Sequence, residues 1–180
     1  NHLFIKASGS SLATIDESGF VQLDRKMLYS ISIKCYSDEV MLRENQIKQD
    51  LLNSRIYPEK GQRPSVETSL HDLMNFSYVV HTHSTVVNGM MCGKDAEKRT
   101  ALLFGEDVVF VPYVDPGYIL FKEVQSRVNA HRIRTGTEPQ IILLQNHGIF
   151  IAADSTSEIK ALYDKVIDKL TAAIGKIPER

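Results

Sequence analysis

The sequence lacks the features that mark membrane proteins, nucleic-acid-binding proteins and disulfide-rich secreted proteins. No apolar run reaches about 18 residues, the length that a membrane-spanning helix needs. Basic runs interleaved with aromatic residues are absent and the formal net charge is −1, so nothing indicates nucleic-acid binding. Two cysteines, Cys35 and Cys92, are too few for a disulfide framework. We therefore expect a cytoplasmic protein that binds neither membranes nor nucleic acid.

The remaining composition is that of an ordinary globular protein. Hydrophobic residues make up 43% of the 180 residues, which suits a single domain over residues 1–180. The expected strands are Leu3–Ser8, Gly19–Leu23, Tyr78–Val80, Asp107–Val114, Gln140–Leu144 and Ile149–Ala153. The expected helices are Asp38–Leu52, a segment after Ser65, Lys94–Phe104, Tyr118–Ile133 and a segment capped by Ser155 and Glu158. Because strands and helices alternate, we expect an α/β or α+β fold with a central sheet.

The most informative pattern is a pair of histidines, His81 and His83, where an apolar strand meets a loop. Residues two apart in a β-strand face the same side, so both imidazoles can reach one point. Two converging ring nitrogens are typical of part of a metal site, most often for zinc. The pair by itself fits two surface histidines equally well, so the metal hypothesis needs a third ligand and an acid.

His147 and Glu67 are the candidates for those two roles. His147 also lies at a strand–loop junction, directly before Gly148, where a glycine permits a tight backbone turn. Glu67 stands near the start of a helix, where the helix dipole favours a carboxylate. His71 lies four residues later on the same face, either as a further ligand or as an ordinary packed histidine. Three imidazoles and a carboxylate suit a cation that polarises a carbonyl beside a proton-transferring acid.

Two positions with small residues are candidates for anion binding. The loop that contains Ser8 and Gly9 offers backbone N–H groups and hydroxyls to an anion. Ser65 lies at a helix N-terminus, which is another common anion position. Both patterns are also found in ordinary turns.

Four segments, taken in order, resemble motifs of the class II aldolase/adducin family. The segments are Lys6–Gly9, Arg63–His71, Val80–Ser84 and Gln145–Gly148. They resemble, respectively, the family's Ser/Thr-Gly phosphate loop, its Pro-Ser-x-Glu segment, its His-x-His and its Asn/His-His-Gly. A fifth segment, Val111–Gly117, resembles rhamnulose-phosphate-aldolase-like members, including the aldolase parts of longer multidomain proteins.

The resemblance implies a three-layer α/β/α sandwich around a largely antiparallel sheet. It also implies one zinc ion (Zn2+) per subunit, bound by His81, His83 and His147. Glu67 would be the acid/base that transfers the proton, and it could also ligate the metal. The residues that hold the substrate phosphate would be Ser8, Gly9 and Ser65.

The activity implied by the resemblance is reversible retro-aldol cleavage of a ketose 1-phosphate of the rhamnulose or fuculose type. The products would be dihydroxyacetone phosphate and an aldehyde such as lactaldehyde. Family enzymes are usually tetramers with the site at a subunit interface. The expected partners are therefore a sugar phosphate and further copies of this chain.

The sequence departs from the family pattern in two places. The family's Gly-Asn phosphate-binding segment belongs before the first strand, so we expect this chain to lack it and to come from a longer protein. Fuculose-phosphate aldolases supply a tyrosine after the His-x-His, and Lys94–Glu106 contains none. Rhamnulose-phosphate aldolases use a glutamate in a comparable region. The nearest match, Glu106, is a candidate second acid/base or an ordinary loop acid.

Other functions on the same residues stay open at this point. A pentulose-phosphate 4-epimerase or a methylthioribulose-1-phosphate dehydratase would use the same ligand set. For any of these enzymes, manganese or cobalt is an alternative to zinc. A non-catalytic, adducin-like module is a third alternative. The complete set of three histidines and Glu67 favours an enzyme, because a scaffold has no need for converging imidazoles.

Overall fold

The computed structural model describes residues 1–174, without the side chain of Ile174. The chain forms two compact units. The first comprises Asn1–Leu73 with Pro116–Lys122, and the second comprises Met74–Asp115 with the residues from Glu123 onward. The expected single domain over residues 1–180 stays a prediction, and its residues 175–180 lie outside the described part.

The first unit is built on a two-stranded antiparallel sheet and three helices. Its elements are β1 (His2–Lys6), β2 (Phe20–Asp24), α1 (Arg25–Ile33), α2 (Val40–Asn53) and α3 (Thr68–Asp72). The sequence does not predict helix α1, because two isoleucines, two serines and a tyrosine, which have only moderate helix propensity, make up five of its nine residues. It forms because the Asp24 carboxylate caps it and because Leu28 and Ile31 pack into the core of this unit.

The second unit contains a four-stranded sheet flanked by helices. Its elements are β3 (Tyr78–Thr82), α4 (Thr85–Met91), α5 (Ala96–Phe104), β4 (Val109–Val111), β5 (Ile141–Leu144), β6 (Gly148–Ala153) and α7 (Thr156–Ile174). Helix α6 (Tyr118–Thr135) begins in the first unit and continues in the second. The strand order is β3-β6-β5-β4; β3–β6 and β6–β5 are antiparallel, and β5–β4 is parallel. The expected mixed α/β class with a central, largely antiparallel sheet is confirmed.

Helix α7 begins and packs much as its sequence predicts. The Ser155 hydroxyl accepts the backbone N–H of Glu158 at 3.2 Å, which is one half of a capping box. The Glu158 carboxylate instead accepts the side-chain amide of Gln140 at 2.7 Å. Val166 and Leu170 are fully buried in the core of the second unit. The helix is therefore fixed against the sheet by its buried apolar residues.

The register of the sheet decides where the predicted histidines lie. In the antiparallel pair β3–β6, Thr82 is opposite Ile149 and His81 is opposite Phe150. The last residue of β3 therefore lies beside the first residues of β6, at one end of the two strands. No helix within residues 1–174 has both the length and the apolar character needed to cross a bilayer.

Candidate metal centre

The histidines predicted to be ligands converge at the end of the sheet where β3 ends and β6 begins. Each of His81, His83 and His147 presents a ring nitrogen within 4.8 Å of the other two. The three ring centroids form a nearly equilateral triangle with sides of 4.7, 5.1 and 4.9 Å. Residues that are 64 positions or more apart thus meet because antiparallel pairing brings opposite strand ends together.

His81 is oriented by the backbone of the neighbouring strand. Its Nδ1 atom lies 3.0 Å from the carbonyl oxygen of Ile149. A carbonyl can only accept a hydrogen bond, so Nδ1 carries the proton, and Nε2 of the neutral ring keeps its lone pair. Metal-binding histidines typically have this arrangement, in which one nitrogen donates to the protein and the other faces the metal.

His83 lies beside Gly148, and this contact explains the glycine. A Cβ atom at Gly148 would lie 2.5 Å from the carbonyl oxygen of Thr82 and 2.8 Å from Cδ2 of His83. The sequence suggested that Gly148 is a glycine because a tight turn needs one, and this explanation is wrong. Gly148 is the first residue of β6, and a side chain there would collide with the strand that carries the histidines.

The tight turn itself is made at Asn146. Its φ of 57° lies in the left-handed region, which asparagine adopts more readily than most residues. The backbone N–H of Asn146 donates to the carbonyl of Met91 at 3.2 Å, and that of His147 donates to Leu144 at 3.2 Å. The loop between β5 and β6 is thus anchored at its tip, and the anchor holds His147 next to the other two rings.

The three imidazoles fit a divalent cation that prefers nitrogen ligands. Nε2 of His81 and Nε2 of His83 are 2.9 Å apart. Zinc–nitrogen bonds of about 2.0–2.1 Å in a tetrahedron place ligand nitrogens roughly 3.3 Å apart, so only a small adjustment is needed. His83 is exposed while His81 and His147 are half-buried, which leaves the cluster open to solvent on one side. A site with three protein nitrogens and an open side is typical of catalytic zinc.

Glu67 and Ser65 lie together in the first unit, in the turn that begins α3. The Ser65 hydroxyl accepts the backbone N–H of Glu67 at 3.2 Å, and the Ser65 carbonyl accepts the hydroxyl of buried Thr68 at 2.6 Å. The carbonyl of Glu67 accepts the N–H groups of Leu70 and His71. Hydrogen bonds thus hold the Glu67 backbone on both sides. Glu67 is the N-cap residue of α3, and its side chain is half-buried.

The two segments proposed to bind phosphate are neighbours in the first unit. Ala7 and Pro64 form an antiparallel bridge, and the backbone N–H of Ser8 donates to the carbonyl of Arg63 at 2.8 Å. Gly9 has a φ of +88°, and open space surrounds its Cα where a side chain would be. The exposed Ser8–Gly9 turn and the segment leading to Ser65 thus run side by side.

Glu106, the candidate second acid/base, lies elsewhere in the second unit. It forms an ion pair with Arg134 at 3.2 Å and precedes β4. Because β4 and β5 are parallel, Glu106 is at the end of the sheet where β5 begins, whereas His147 follows the end of β5. A role for Glu106 near the histidines of its own chain is therefore not supported by its position, and its function as a second acid/base stays a prediction.

Sequence reasoning missed two side chains that contact the strand carrying His81 and His83. Phe150 stacks on His81, and the Tyr163 hydroxyl lies 3.0 Å from Oγ1 of Thr82. Phe150 stands in an apolar strand and Tyr163 in a helix with buried apolar residues, so both look like ordinary core residues in the sequence. Only the strand register and the packing of α7 reveal these contacts.

Comparison with known proteins finds one family whose profile covers nearly the whole chain. The profile of the Class II Aldolase and Adducin N-terminal domain matches residues 1–167. The uncharacterized oxidoreductase YuxG of Bacillus subtilis (strain 168) is 29% identical over 181 residues, which is 99% of this chain. That alignment covers 24% of YuxG, so the chain spans about a quarter of the length of this relative.

Two solved structures share the fold. The N-terminal class II aldolase domain of a conserved protein from Thermoplasma acidophilum is 27% identical, with a TM-score of 0.78 over 96% of this chain and 75% of that one. YgbL from Escherichia coli, described as a candidate aldolase, epimerase or decarboxylase, is 18% identical with a TM-score of 0.59. That match covers 99% of this chain and 76% of YgbL, and at this identity it shows the fold alone.

Proposed function

The chain belongs to the class II aldolase and adducin family, and from this membership we propose that it is a zinc-dependent aldolase. Its reaction is the reversible retro-aldol cleavage of a ketose 1-phosphate of the rhamnulose or fuculose type. The products are dihydroxyacetone phosphate and an aldehyde. The observation that carries this proposal is the convergence of His81, His83 and His147 at one solvent-open point.

The three histidines hold the metal in this proposal, and their preference for zinc follows from donor chemistry. Imidazole nitrogens suit zinc and other transition metals, whereas magnesium and calcium prefer oxygen. When bound, the cation supplies Lewis-acid polarisation of the substrate carbonyl and stabilises the negative charge that develops beside it. His81 contributes Nε2, because its Nδ1 proton is already engaged by Ile149.

Glu67 is the proposed proton carrier. In the cleavage direction, the Glu67 carboxylate takes the proton of the C4 hydroxyl while the C3–C4 bond breaks and C4 becomes the aldehyde carbonyl. The electron pair of the broken bond remains on C3, and Glu67 delivers a proton to that carbon to complete dihydroxyacetone phosphate. The hydrogen bonds that hold the Glu67 backbone support this role, because a proton donor must keep its position through the reaction. In this proposal the Glu67 carboxylate would also be a metal ligand before substrate enters.

Ser8, Gly9 and Ser65 hold the substrate phosphate in this proposal. Their support is the side-by-side course of the two segments and the open space at Gly9, which lets a phosphate approach the backbone closely. Hydroxyls and backbone N–H groups donate to phosphate oxygens without adding charge.

The proposed assembly is a cytoplasmic homotetramer. Size-exclusion chromatography with light scattering on the full chain tests the oligomeric state. A monomer at micromolar concentration would contradict the tetramer without affecting the chemistry proposed for the histidines.

The test of the proposed function combines metal analysis with a substrate screen. The full-length protein is purified without chelators, its zinc content is measured, and it is then incubated with rhamnulose 1-phosphate and fuculose 1-phosphate. We expect stoichiometric zinc and release of dihydroxyacetone phosphate, detected by coupled reduction. NMR of the same mixtures identifies an epimer or a dehydrated product, which would show an epimerase or dehydratase instead. Zinc-loaded protein that leaves both sugars intact would overturn the aldolase, and a metal-free protein would favour the adducin-like module.

A further inference from the structure

Thr82 stands between the two histidines of the His-x-His and points to the other face of β3. Side chains alternate along a strand, so His81 and His83 face the metal centre while Thr82 faces away from it. On that face Oγ1 of Thr82 lies 3.0 Å from the hydroxyl oxygen of Tyr163 in α7. Both groups are half-buried, where a hydrogen bond is stronger than in open water.

The bond acts on the last residue of β3. The ladder between β3 and β6 ends with the pair Thr82–Ile149, and His83 is the next residue along the chain. The position of His83 relative to His81 therefore depends on the backbone conformation between Thr82 and His83. A hydrogen bond from the Thr82 side chain restrains the strand at this exit point.

Tyr163 is a rigid partner for this purpose. Its ring packs against the buried cluster of the second unit, which includes Val87, Val166 and Leu170. It belongs to a helix of 19 residues, one turn before the fully buried Val166. The hydroxyl is thus presented from a packed helix and not from the loop containing His83.

We propose that Tyr163 is a positioning residue of the metal centre, which acts through Thr82 to fix the spacing between the nitrogens of His81 and His83. This inference rests on the proposed metal site, but it does not depend on which reaction that site performs. The two Nε2 atoms are 2.9 Å apart, close to the spacing that tetrahedral zinc requires. A ligand pair held at this spacing before binding needs little ordering when the metal arrives.

The test measures zinc affinity of the full-length protein by competition with a chromophoric chelator. Tyr163→Phe keeps the ring and removes the hydroxyl, and Thr82→Val keeps the shape and removes the partner. We expect each variant to weaken zinc binding about ten-fold. This is the lower end of the loss seen when residues that orient metal ligands are replaced. Thr82→Ser keeps the hydroxyl and should bind zinc as the wild type does. The double variant should be no weaker than either single variant, because both remove the same bond.

Tyr78→Phe is the matched control, since Tyr78 is a 48%-exposed tyrosine at the opposite end of β3. It should leave zinc affinity unchanged. Unaltered zinc affinity in both Tyr163→Phe and Thr82→Val would overturn the inference, even with a lowered melting temperature, because the bond would then serve stability alone. Wild-type protein that binds zinc but cleaves no sugar phosphate would refute the aldolase and leave this inference standing. Wild-type protein that binds no zinc would refute the metal site and the inference with it.

Discussion

The imidazole of His81 stacks on the phenyl ring of Phe150, with ring centroids 4.0 Å apart and planes inclined by 17°. The two residues are opposite each other in the β3–β6 ladder, so the stack is a cross-strand pair. Phe150 is 1% exposed and cannot move away. The sheet therefore sets the plane of the His81 ring, while the Ile149 carbonyl sets its rotation.

Replacing Phe150 by leucine tests this role. Phe150→Leu should lower the free energy of unfolding by about 1 kcal/mol, as expected for a hydrophobic change of shape in a core. It should also weaken zinc binding, because the His81 ring gains freedom that binding must then remove. Phe104→Leu is the control, since Phe104 is buried in the same unit at the end of α5. Equal zinc affinity in the two variants would show that the stack does not serve the metal centre.

Gly148→Ala tests the close approach of β6 to β3. The added Cβ would lie 2.5 Å from the Thr82 carbonyl oxygen, which belongs to the backbone and cannot turn aside. We expect a loss of about 1–3 kcal/mol in the free energy of unfolding, together with weaker zinc binding. Gly89→Ala, in helix α4, meets no atom within 4 Å and should be neutral or stabilising by up to about 1 kcal/mol. Chemical denaturation measures both, and a neutral Gly148→Ala would refute the clash.

Glu67→Gln separates proton transfer from metal binding. The amide cannot carry the proton, so turnover should fall by about 10²- to 10⁴-fold, while most zinc is retained. His83→Ala should lose both zinc and activity, because it removes a ligand. Glu59→Gln, at an exposed position in the short 3-10 helix Pro58–Lys60, serves as the control and should behave like the wild type. Full turnover in Glu67→Gln would remove this residue from the mechanism.

Ser8→Ala tests the phosphate site. The backbone N–H of Ser8 bonds to Arg63 and is unaffected, so only the exposed hydroxyl is lost. One hydrogen bond to a charged phosphate contributes about 1.5–3 kcal/mol, and its loss should raise KM for a ketose 1-phosphate at least roughly ten-fold. KM for the unphosphorylated ketose should not change. A parallel rise for both substrates would place Ser8 outside the phosphate site.

His131 makes stability depend on pH in the second unit. It is 6% exposed, and within residues 1–174 its Nδ1 atom has no hydrogen-bond partner. Burial, and then the nearby positive charge of Arg134, hold the pKa of His131 below the ordinary value of 6.5. The unfolded chain therefore takes up the proton first, and stability should fall as pH drops through about 6.5.

The control for this pH effect is His131→Leu, which removes the titrating group and keeps the position apolar. Leu120, Val124 and Val128 lie on the same buried face of α6, so leucine suits the site. The free energy of unfolding is measured near pH 7.5 and near pH 5.5, and the other histidines affect both proteins alike. The loss on acidification should be smaller in His131→Leu. An identical loss in both proteins would exclude His131 as the cause.

The elements predicted correctly are those whose sequence carries a strong local pattern. The alternating or continuous apolar runs of β3, β5 and β6 and the capped, striped helix α7 were located within about two residues. Helices α1 and α4 were missed. Helix α4 contains Thr85, Val86 and Val87, which disfavour helix locally, and it forms because Val87 and Met91 are fully buried. Packing outweighs propensity in both helices.

By itself the sequence determined the chemistry available to this protein: three imidazoles at strand ends, a carboxylate at a helix start and small residues in turns that are candidates for anion binding. Those assignments depend on residue type and local spacing, which are properties of the chain alone. The tertiary structure decided which nitrogen of His81 faces the other two histidines, why position 148 is glycine, and that Phe150 stacks on His81 while Tyr163 contacts Thr82. These contacts depend on strand register and on helix packing between residues that are 60 or more positions apart in the sequence. They form only when the chain folds and the antiparallel strands pair.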